Sequence, residues 1–273
     1  MLVCTPEERF EMKDARRFIR FILILTIIMG GLSLSLMYIS RVREENNTYI
    51  TIDIDTMKLV QLEDPKEGDP IAVIDTTLGE IKVVLYPQYS PDAVKNFTEL
   101  AESGYYDNTY VFDAQDGAYS GCGAKSKNGS TGDGTNERIE RELSQDLWPF
   151  RGAVCMMNTE YSRTLKEKIL GGGTYYCGSR FDILNSIKFT EDISSELKES
   201  SPSQELAEAF ISKGGIPNFS QQMTIIGQTY EGLDVVDKLA SLEYDGTSQY
   251  NEPIDDIMIK SVHIDTYHKE EKT

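Results

Sequence analysis

The chain has little of the chemistry on which most catalytic and metal sites depend. Only two histidines occur among 273 residues, His263 and His268, and both stand near the C-terminus. A histidine-based triad or a metal site with several histidines is therefore excluded from most of the chain. The four cysteines show no C-x-x-C spacing, which excludes zinc-ribbon and thioredoxin-like sites.

Positive charge is scarce outside the N-terminal region. Residues 1–43 carry seven basic and four acidic side chains, so residues 44–273 hold a net charge of −21 within the chain's total of −18. An acidic body of this kind repels phosphates, so we expect no nucleic-acid partner. A hydrophobic content of 40% is typical of a globular protein.

A long uncharged run lies between basic clusters. Residues 21–40, FILILTIIMGGLSLSLMYIS, have the length needed to cross ~30 Å of hydrocarbon. Two interpretations stay open: a cleaved signal peptide and an uncleaved anchor, which we favour because no small-residue cleavage site follows the run. The heavier basic flank precedes the run and predicts a cytoplasmic segment at 1–20, a transmembrane anchor at 21–40 and an extracytoplasmic C-terminal domain. The prediction is a single-pass protein of the cell membrane.

After a linker at 41–69, the pattern becomes that of a β-rich domain. IAVIDTTLGEIKVVLY, from residue 71, alternates apolar and polar residues around a turn and predicts a β-hairpin. Ser90 and Pro91 then predict the cap and first position of a helix that ends at Gly104.

Several separate blocks resemble the cyclophilin family of peptidyl-prolyl cis-trans isomerases. They are the hairpin, helix and turn ending in GYYDNT, then RGAVCMMN from Arg151, CGSRFDI from Cys177, and GGIPNFSQQMTIIGQTYEGLDVVDKL from Gly214. The resemblance covers residues 70–267 and leaves a tail at 268–273. It implies a mainly β fold, a closed antiparallel β-barrel of about eight strands with capping helices.

Two segments, 159–177 and 184–213, are longer than the family's usual connections. The second predicts a helix of its own, with Ser201 as cap, Pro202 first, and Leu206, Ala209 and Phe210 as an apolar stripe that docks on the body.

The resemblance also implies a reaction, rotation about an X-Pro peptide bond, that needs no metal and no cofactor. Its partner would be a proline-containing peptide or an exported protein. In the family an arginine follows the YYDGT turn and carries the chemistry, and in this chain Asp113 stands at its place. The neighbouring glutamine of the family is Arg180, and a pocket phenylalanine is Asp182.

These departures suggest a charge swap, in which Asp113 and Arg180 bond across adjacent strands. Arg180 would then present its guanidinium from the opposite wall as the catalytic group; the alternative is a purely structural ion pair. The substrate-binding residues that the resemblance implies are Asn158, Met156, Phe181, Phe219 and Tyr119, although Met156 and Phe181 are also typical core residues.

Two functions follow. The first is a membrane-anchored prolyl isomerase or foldase for exported proteins, with weak or altered activity. The second is a non-catalytic peptide-binding or assembly module that keeps the barrel. Outside a membrane Cys122 and Cys177 could also form a disulfide, and free thiols are the alternative.

Overall fold

A computed structural model describes residues 6–46, 49–115, 117–130, 139–161, 164–246 and 250–269. The chain divides into two compact units. One comprises Met1–Thr48 with Ser162–Gly173, and the other comprises Tyr49–Tyr161 with Thr174–Thr273.

The first unit is built on a long N-terminal helix, α1 (Pro6–Glu45). Its stretch Arg17–Arg43 is long and apolar enough to cross a membrane, with a mean hydropathy of 2.3. A short helix, α3 (Leu165–Leu170), begins at a capping box, in which the Thr164 hydroxyl accepts a hydrogen bond from the Glu167 amide. Asn46 donates from Nδ2 to the carbonyl of Leu170 at 2.8 Å, so part of the segment predicted as an insertion joins the unit that holds α1.

The second unit is a closed antiparallel barrel, as the sequence predicted. Its strands are β1 (Pro70–Thr76), β2 (Gly79–Leu85), β3 (Thr109–Gln115), β4 (Tyr119–Ala124), β5 (Ile139–Glu140), β6 (Ala153–Tyr161), β7 (Thr174–Leu184), β8 (Thr224–Glu231) and β9 (Met258–Thr266). Eight of them follow the order β4-β3-β9-β1-β2-β8-β6-β7, and pairing between β4 and β7 closes the ring. Closure leaves no free edge in the ring, while the two-residue β5 pairs with β7 outside it.

Helices accompany the barrel: α2 (Pro91–Glu102), α4 (Glu191–Ser200), α5 (Gln204–Lys213) and α6 (Leu233–Ala240). The apolar sides of α2 and α6 belong to the cluster of side chains that fills the barrel, so both act as the predicted capping helices. Three-residue 3₁₀ turns lie at Val60–Leu62 and Pro217–Phe219.

One predicted helix cap, Ser201, was wrong, and the other, Ser90, stands at the predicted cap position without a capping bond from its side chain. Ser90 donates its hydroxyl to the carbonyl of Ile225, and the Glu142 carboxylate instead accepts from the first amides of α2, including that of Ala93 at 2.9 Å. The helix after residue 200 begins at Gln204 and is capped by Ser203, whereas Ser201 ends the preceding helix. A serine two residues later satisfies the free amides of α5 equally well, which is why the sequence pattern misplaced that start, while the start of α2 at Pro91 was predicted correctly.

The predicted apolar stripe of α5 does dock on the body. Leu206, Ala209 and Phe210 are buried with Trp148 and Phe150, and the rings of Phe210 and Phe150 lie 4.7 Å apart. Buried aromatic pairs of this kind contribute beyond their area.

Alternation along the strands separates the inside of the barrel from an outer face. Val154 and Met156 of β6 belong to the interior cluster, while the intervening Cys155 belongs to a second cluster outside. On β7, Phe181 and Ile183 point inward. Asp182 between them is therefore on the outer face.

Candidate functional site

A row of four residues crosses the outer face in register. Asp113 of β3 pairs with Gly121 of β4, which pairs with Asp182 of β7, which pairs with Cys155 of β6. Residues directly opposite in neighbouring strands project to the same face, so the two aspartates flank a glycine that has no side chain.

A β-bulge in β3 brings Asp113 into this row. The register shifts between Val111 and Asp113, which leaves Phe112 as an extra residue on that strand. The interior cluster contains Val111, and the bulge turns the next pairing residue, Asp113, to the outer face. A Cβ added at Gly121 would lie 2.9 Å from Asp113 Cβ and 3.0 Å from Phe112 Cζ, so glycine is required here for space.

Asp113 is buried and well bonded. It is 3% exposed, and its Oδ1 accepts from Gln115 Nε2 at 2.8 Å and from the Asn251 amide at 3.0 Å. A second hydrogen bond runs the other way, from the Ala114 amide of β3 to the carbonyl of Asn251. Asp113 thus joins β3 to the segment that precedes β9.

Asp182 is buried and under-bonded. It is 4% exposed, and within the described residues its Oδ1 has no hydrogen-bond partner. Burial raises the pKa of Asp182 well above its ordinary value, the charge of Asp113 raises it further, and the charge of Arg180 opposes both. The group therefore retains its proton to higher pH than an exposed aspartate does, and as an acid it can donate a hydrogen bond.

The predicted ion pair between Asp113 and Arg180 is not formed. Arg180 donates from Nη1 to the carbonyl of Gly129 at 3.0 Å and to the hydroxyl of Tyr250 at 2.9 Å. Its guanidinium carbon lies 5.6 Å from the centre of the Phe112 ring and 5.7 Å from that of Tyr250. Aromatic faces and neutral oxygens hold the guanidinium, because the bulge presents Phe112 and a distant segment supplies Tyr250.

Two predicted substrate-binding residues lie inside the barrel. Met156 and Phe181 are each 0% exposed, and the Phe181 ring packs edge-on against Phe97 and Tyr106 at 5.5 Å. Neither offers surface to a peptide, so their prediction as ligands is corrected to core. Their inward direction follows from strand alternation.

Tyr119 and Phe219 are brought together on the outer face. Their ring centres are 5.7 Å apart, and both pack on the outer cluster with Ala118 and Met223. Burial raises the pKa of the Tyr119 hydroxyl, and the charges of Asp182 and Asp113 raise it further. Tyr119 stands two residues before Gly121 on β4, so it projects to the same face as the two aspartates.

Asn158 stands beside a cation that the sequence interpretation missed. Asn158 donates from Nδ2 to the carbonyl of Gln222 at 2.7 Å, and its buried Oδ1 lacks a partner among the described residues. Arg141 Nη1 donates to the same carbonyl at 3.3 Å, with its guanidinium 4.3 Å from the centre of the Tyr175 ring. Arg141 directly follows the two-residue strand β5, where no periodic pattern marks a site.

The cysteines are thiols. Cys122, Cys155 and Cys177 are free and buried, so of the two alternatives for Cys122 and Cys177 the structure has the free thiols; Cys4 lies outside the described residues. Burial raises the pKa of Cys177 to about 12, with a further contribution from the charge of Glu142. Within the described part of the chain, no group of three or more His, Cys, Asp or Glu side chains could hold a metal ion.

Comparison with known proteins agrees with this architecture. The family described as cyclophilin type peptidyl-prolyl cis-trans isomerase/CLD matches residues 71–168. A relative from Staphylococcus epidermidis, named as a peptidyl-prolyl cis-trans isomerase, is 26% identical over 71% of this chain and 90% of its own length. Another relative, from Streptococcus pyogenes serotype M6, is named as a bifunctional phosphatase/peptidyl-prolyl cis-trans isomerase and is 27% identical over 76% of this chain. The matched region is 41% of that relative's own length, so the chain spans less than half of it.

A solved structure shares the fold. It is the cyclophilin type peptidyl-prolyl cis-trans isomerase of Cryptosporidium parvum crystallised in the presence of the dipeptide Ala-Pro, with a TM-score of 0.51 and 22% identity. The similarity covers 73% of this chain and 99% of that one. The ordered sequence blocks, the closed eight-stranded ring and these matches together show a cyclophilin-type domain in this chain, whose homologues are named as peptidyl-prolyl cis-trans isomerases.

Proposed function

We propose that the protein is a membrane-anchored prolyl isomerase or foldase that acts outside the cytoplasm on exported proteins, with weak or altered activity. The family and the names of the relatives support the reaction type. The Ala-Pro dipeptide used with the Cryptosporidium structure supports a proline-containing peptide as the partner. The single observation that carries the proposal is the position of Arg180, a guanidinium on the outer strand face two residues before Asp182.

The reaction needs a hydrogen-bond donor whose bond to the substrate is stronger in the transition state than in the ground state. Rotation about the X-Pro bond breaks amide resonance, against an uncatalysed barrier of about 18–20 kcal/mol. The twisted nitrogen regains its lone pair, so a donor aimed at it stabilises the transition state more than the planar ground state. Arg180 is the proposed donor, and its bonds to Tyr250 and Gly129 fix the guanidinium in advance.

The altered surroundings of this donor are the reason to expect weak activity. Asp113 stands where the family has its arginine, and its carboxylate disfavours a developing lone pair nearby. Asp182 makes the proline pocket polar, while Tyr119 and Phe219 remain as the aromatic contacts for a proline ring. Asn158 is the proposed contact for the peptide backbone.

The N-terminal helix supports the proposed location. The stretch Arg17–Arg43 is long and apolar enough to span a bilayer, and four basic residues lie within 13–20 before its apolar run. Basic residues favour the cytoplasmic side, which would place the barrel outside. Protease added to intact protoplasts should then digest the barrel and leave the segment before the span protected. Protection of the barrel would contradict this topology.

A second candidate is a non-catalytic peptide-binding module. Two buried carboxylates on the outer face favour it, because they disfavour an apolar proline ring while still offering strong acceptors to a peptide. In this case the outer face would bind a peptide without accelerating isomerisation.

The test is cis–trans exchange of an Ala-Pro peptide in the presence of the full chain in neutral detergent. Wild type should accelerate exchange, and Arg180→Ala should lose roughly tenfold or more of that acceleration. Tyr250→Phe is the matched variant, since it removes one acceptor and leaves the guanidinium, and it should retain part of the activity. Exchange at the uncatalysed rate in wild type would contradict the isomerase proposal and leave the binding module.

A further inference from the structure

A short helix beside the end of α1 exposes apolar side chains. On α3 (Leu165–Leu170), Leu165 is 73% exposed and Ile169 is 44% exposed. The two positions are four residues apart, so their side chains lie on the same side of the helix. None of the residues of α3 is buried. The apolar pair therefore takes no part in a protein core and is available to a partner outside the chain.

The charged residues of α3 surround this pair in a definite arrangement. Successive residues of an α-helix are turned by about 100°. Lys166 and Lys168 therefore stand on the two flanks of the apolar pair, and Glu167 stands on the opposite side. Both lysines are exposed. An apolar stripe between lysines is typical of a helix that lies in a membrane interface, because lysine stems extend along lipid while the ammonium groups stay among the headgroups.

The segment that contains α3 is basic, although the chain around it is acidic. Residues 161–173 carry three basic side chains and one acidic side chain, a net charge of +2, whereas residues 44–273 as a whole carry −21. Basic segments beside a bilayer are attracted to anionic lipid headgroups. The charge of this segment therefore complements an anionic membrane surface.

Contacts join α3 to the end of the membrane-spanning stretch. Asn46 donates from Nδ2 to the carbonyl of Leu170 at 2.8 Å, and a Cβ added at Gly171 would lie 3.0 Å from Arg43 Cγ. Arg43 is the last residue of the stretch Arg17–Arg43, and Asn46 follows three residues later. At 1.5 Å per residue this is about 5 Å along the axis, within the roughly 5–7 Å depth of one headgroup layer. The contacts of α3 are therefore at the level where α1 leaves the hydrocarbon.

The exposure of α1 agrees with this level. The side chains of residues 17–38 are exposed, whereas those of Ile39 and Val42 are partly covered. The change occurs at the end of α1 against which α3 packs. The rest of the apolar surface of α1 is left for lipid.

We propose that α3 is a second membrane contact, in which Leu165 and Ile169 enter the headgroup layer of a bilayer and Lys166 and Lys168 bind its anionic lipids. The inference rests on the proposed function only in so far as α1 spans a membrane, and it does not depend on the direction in which α1 crosses. The partner is the lipid surface that α1 itself crosses, because the bond to Asn46 holds α3 at that surface. Since α3 lies between β6 and β7 along the chain, the contact gives the barrel a second attachment to the membrane.

Brominated lipids measure this contact, because bromine on an acyl chain quenches tryptophan fluorescence only at close range. The chain has one tryptophan, Trp148, which is 3% exposed, so wild type supplies the background signal. The full-length Leu165→Trp variant is placed in nanodiscs of phosphatidylcholine and phosphatidylglycerol, with and without bromine on the acyl chains. The emission that the substitution adds should fall roughly twofold or more in the brominated discs.

Ile193→Trp is the matched control. Ile193 is another exposed apolar residue, on helix α4 of the other unit, so it tests whether tryptophan itself draws a helix to lipid. The emission that this substitution adds should change little in brominated discs. An unquenched Leu165→Trp signal would overturn the proposal and favour a protein partner for the apolar pair. Equal quenching of the two variants would also overturn it, because the lipid contact would then not be specific to α3.

The headgroup contact is tested through the lysines. In the Leu165→Trp variant, quenching should be stronger in discs that contain phosphatidylglycerol than in discs of phosphatidylcholine alone. Lys166→Gln combined with Lys168→Gln should remove that difference. Lys188→Gln combined with Lys198→Gln removes the same charge from exposed positions outside α3 and should preserve it. Equal effects of the two pairs would assign the difference to overall charge and contradict the proposed binding by α3.

Failure of this inference can be told from failure of the proposed function. If α1 did not span a membrane, the chain would elute apart from the nanodiscs in size-exclusion chromatography, which would overturn both. A chain that elutes with the nanodiscs and leaves the Leu165→Trp signal unquenched would overturn this inference alone. Absence of accelerated Ala-Pro exchange would remove the isomerase and leave the lipid contact in place.

Discussion

Arg180 donates a hydrogen bond of 2.9 Å from Nη1 to the hydroxyl of Tyr250, and no ion pair joins it to Asp113. The contact links β7 to the segment before β9 and positions the guanidinium over the Phe112 ring, 5.6 Å from its centre. Asp113 and Arg180 thus lie on the same face without bonding to each other. Arg180 donates to neutral oxygens, and Asp113 accepts from Gln115 and from the Asn251 amide.

Asp113→Ala should destabilise the barrel by about 1–3 kcal/mol, because the buried amide of Asn251 loses its acceptor. Asp113→Asn keeps the Oδ1 acceptor and should remain within about 0.5 kcal/mol of wild type. Urea unfolding of the three proteins measures the difference. An equal loss of unfolding free energy in Asp113→Ala and Asp113→Asn would show that the charge of the carboxylate, and not its hydrogen bond, stabilises the barrel here.

Gly121→Ala should cost about 1–3 kcal/mol through overpacking, since its Cβ would lie 2.9 Å from Asp113 Cβ and 3.0 Å from Phe112 Cζ. Gly178→Ala is the matched control, because a Cβ there meets nothing within 4 Å. Thermal unfolding of both variants makes the comparison. A loss at Gly178 as large as that at Gly121 would indicate a backbone effect and contradict the steric explanation.

Asp182→Asn should raise the melting temperature at about pH 8 and leave it unchanged near pH 4. The reason is that the pKa of Asp182 is raised in the folded protein, above all by burial and then by the charge of Asp113. An acid with a raised folded pKa favours folding below its unfolded pKa of about 3.9 and loses that contribution as pH rises through the folded value. Asparagine resembles the protonated acid and avoids the loss.

Melting curves of wild type and Asp182→Asn across this pH range measure the effect. Glu102→Gln serves as the control for net charge and should show no such divergence. A difference between wild type and Asp182→Asn that stays constant with pH would show that Asp182 is not protonated preferentially in the folded state.

Alkylation should fail at Cys122, Cys155 and Cys177 in the native protein and succeed at all three in denaturant without a reductant. All three thiols are free and buried, and burial raises their pKa values, so the reactive thiolate is scarce. Peptide mass mapping detects each adduct. An adduct at Cys122 and Cys177 that required prior reduction would establish the disulfide that the structure lacks.

The fold could be predicted from the sequence because its signals are local and repeated. Three signals predict the same barrel: the alternation in the first hairpin, Pro91 at the start of α2, and the ordered sequence blocks as far as α6. The capping groups could not be predicted, because Glu142 and Ser203 satisfy amides that the sequence assigned to Ser90 and Ser201.

The site could be predicted only in part. Sequence blocks identified Asp113, Asp182 and Arg180 as departures from the family, and strand register brings the two aspartates to one row. The direction of Arg180 depends on the bulge at Phe112 and on Tyr250, which is 70 residues away along the chain. Contacts of this kind have no local pattern, so the predicted bond between Asp113 and Arg180 was wrong.

The central claim is that the outer face, and not the barrel interior, receives the peptide. Selective ¹³C labelling of methionine methyl groups tests it most directly, because Met223 lies in the outer cluster, Met156 is fully buried inside, and Met57 packs on the separate α5 cluster. During titration with a proline-containing peptide, the Met223 signal of the full chain should shift to saturation while those of Met156 and Met57 stay in place. A stationary Met223 signal, or a shift confined to Met57, would contradict the claim.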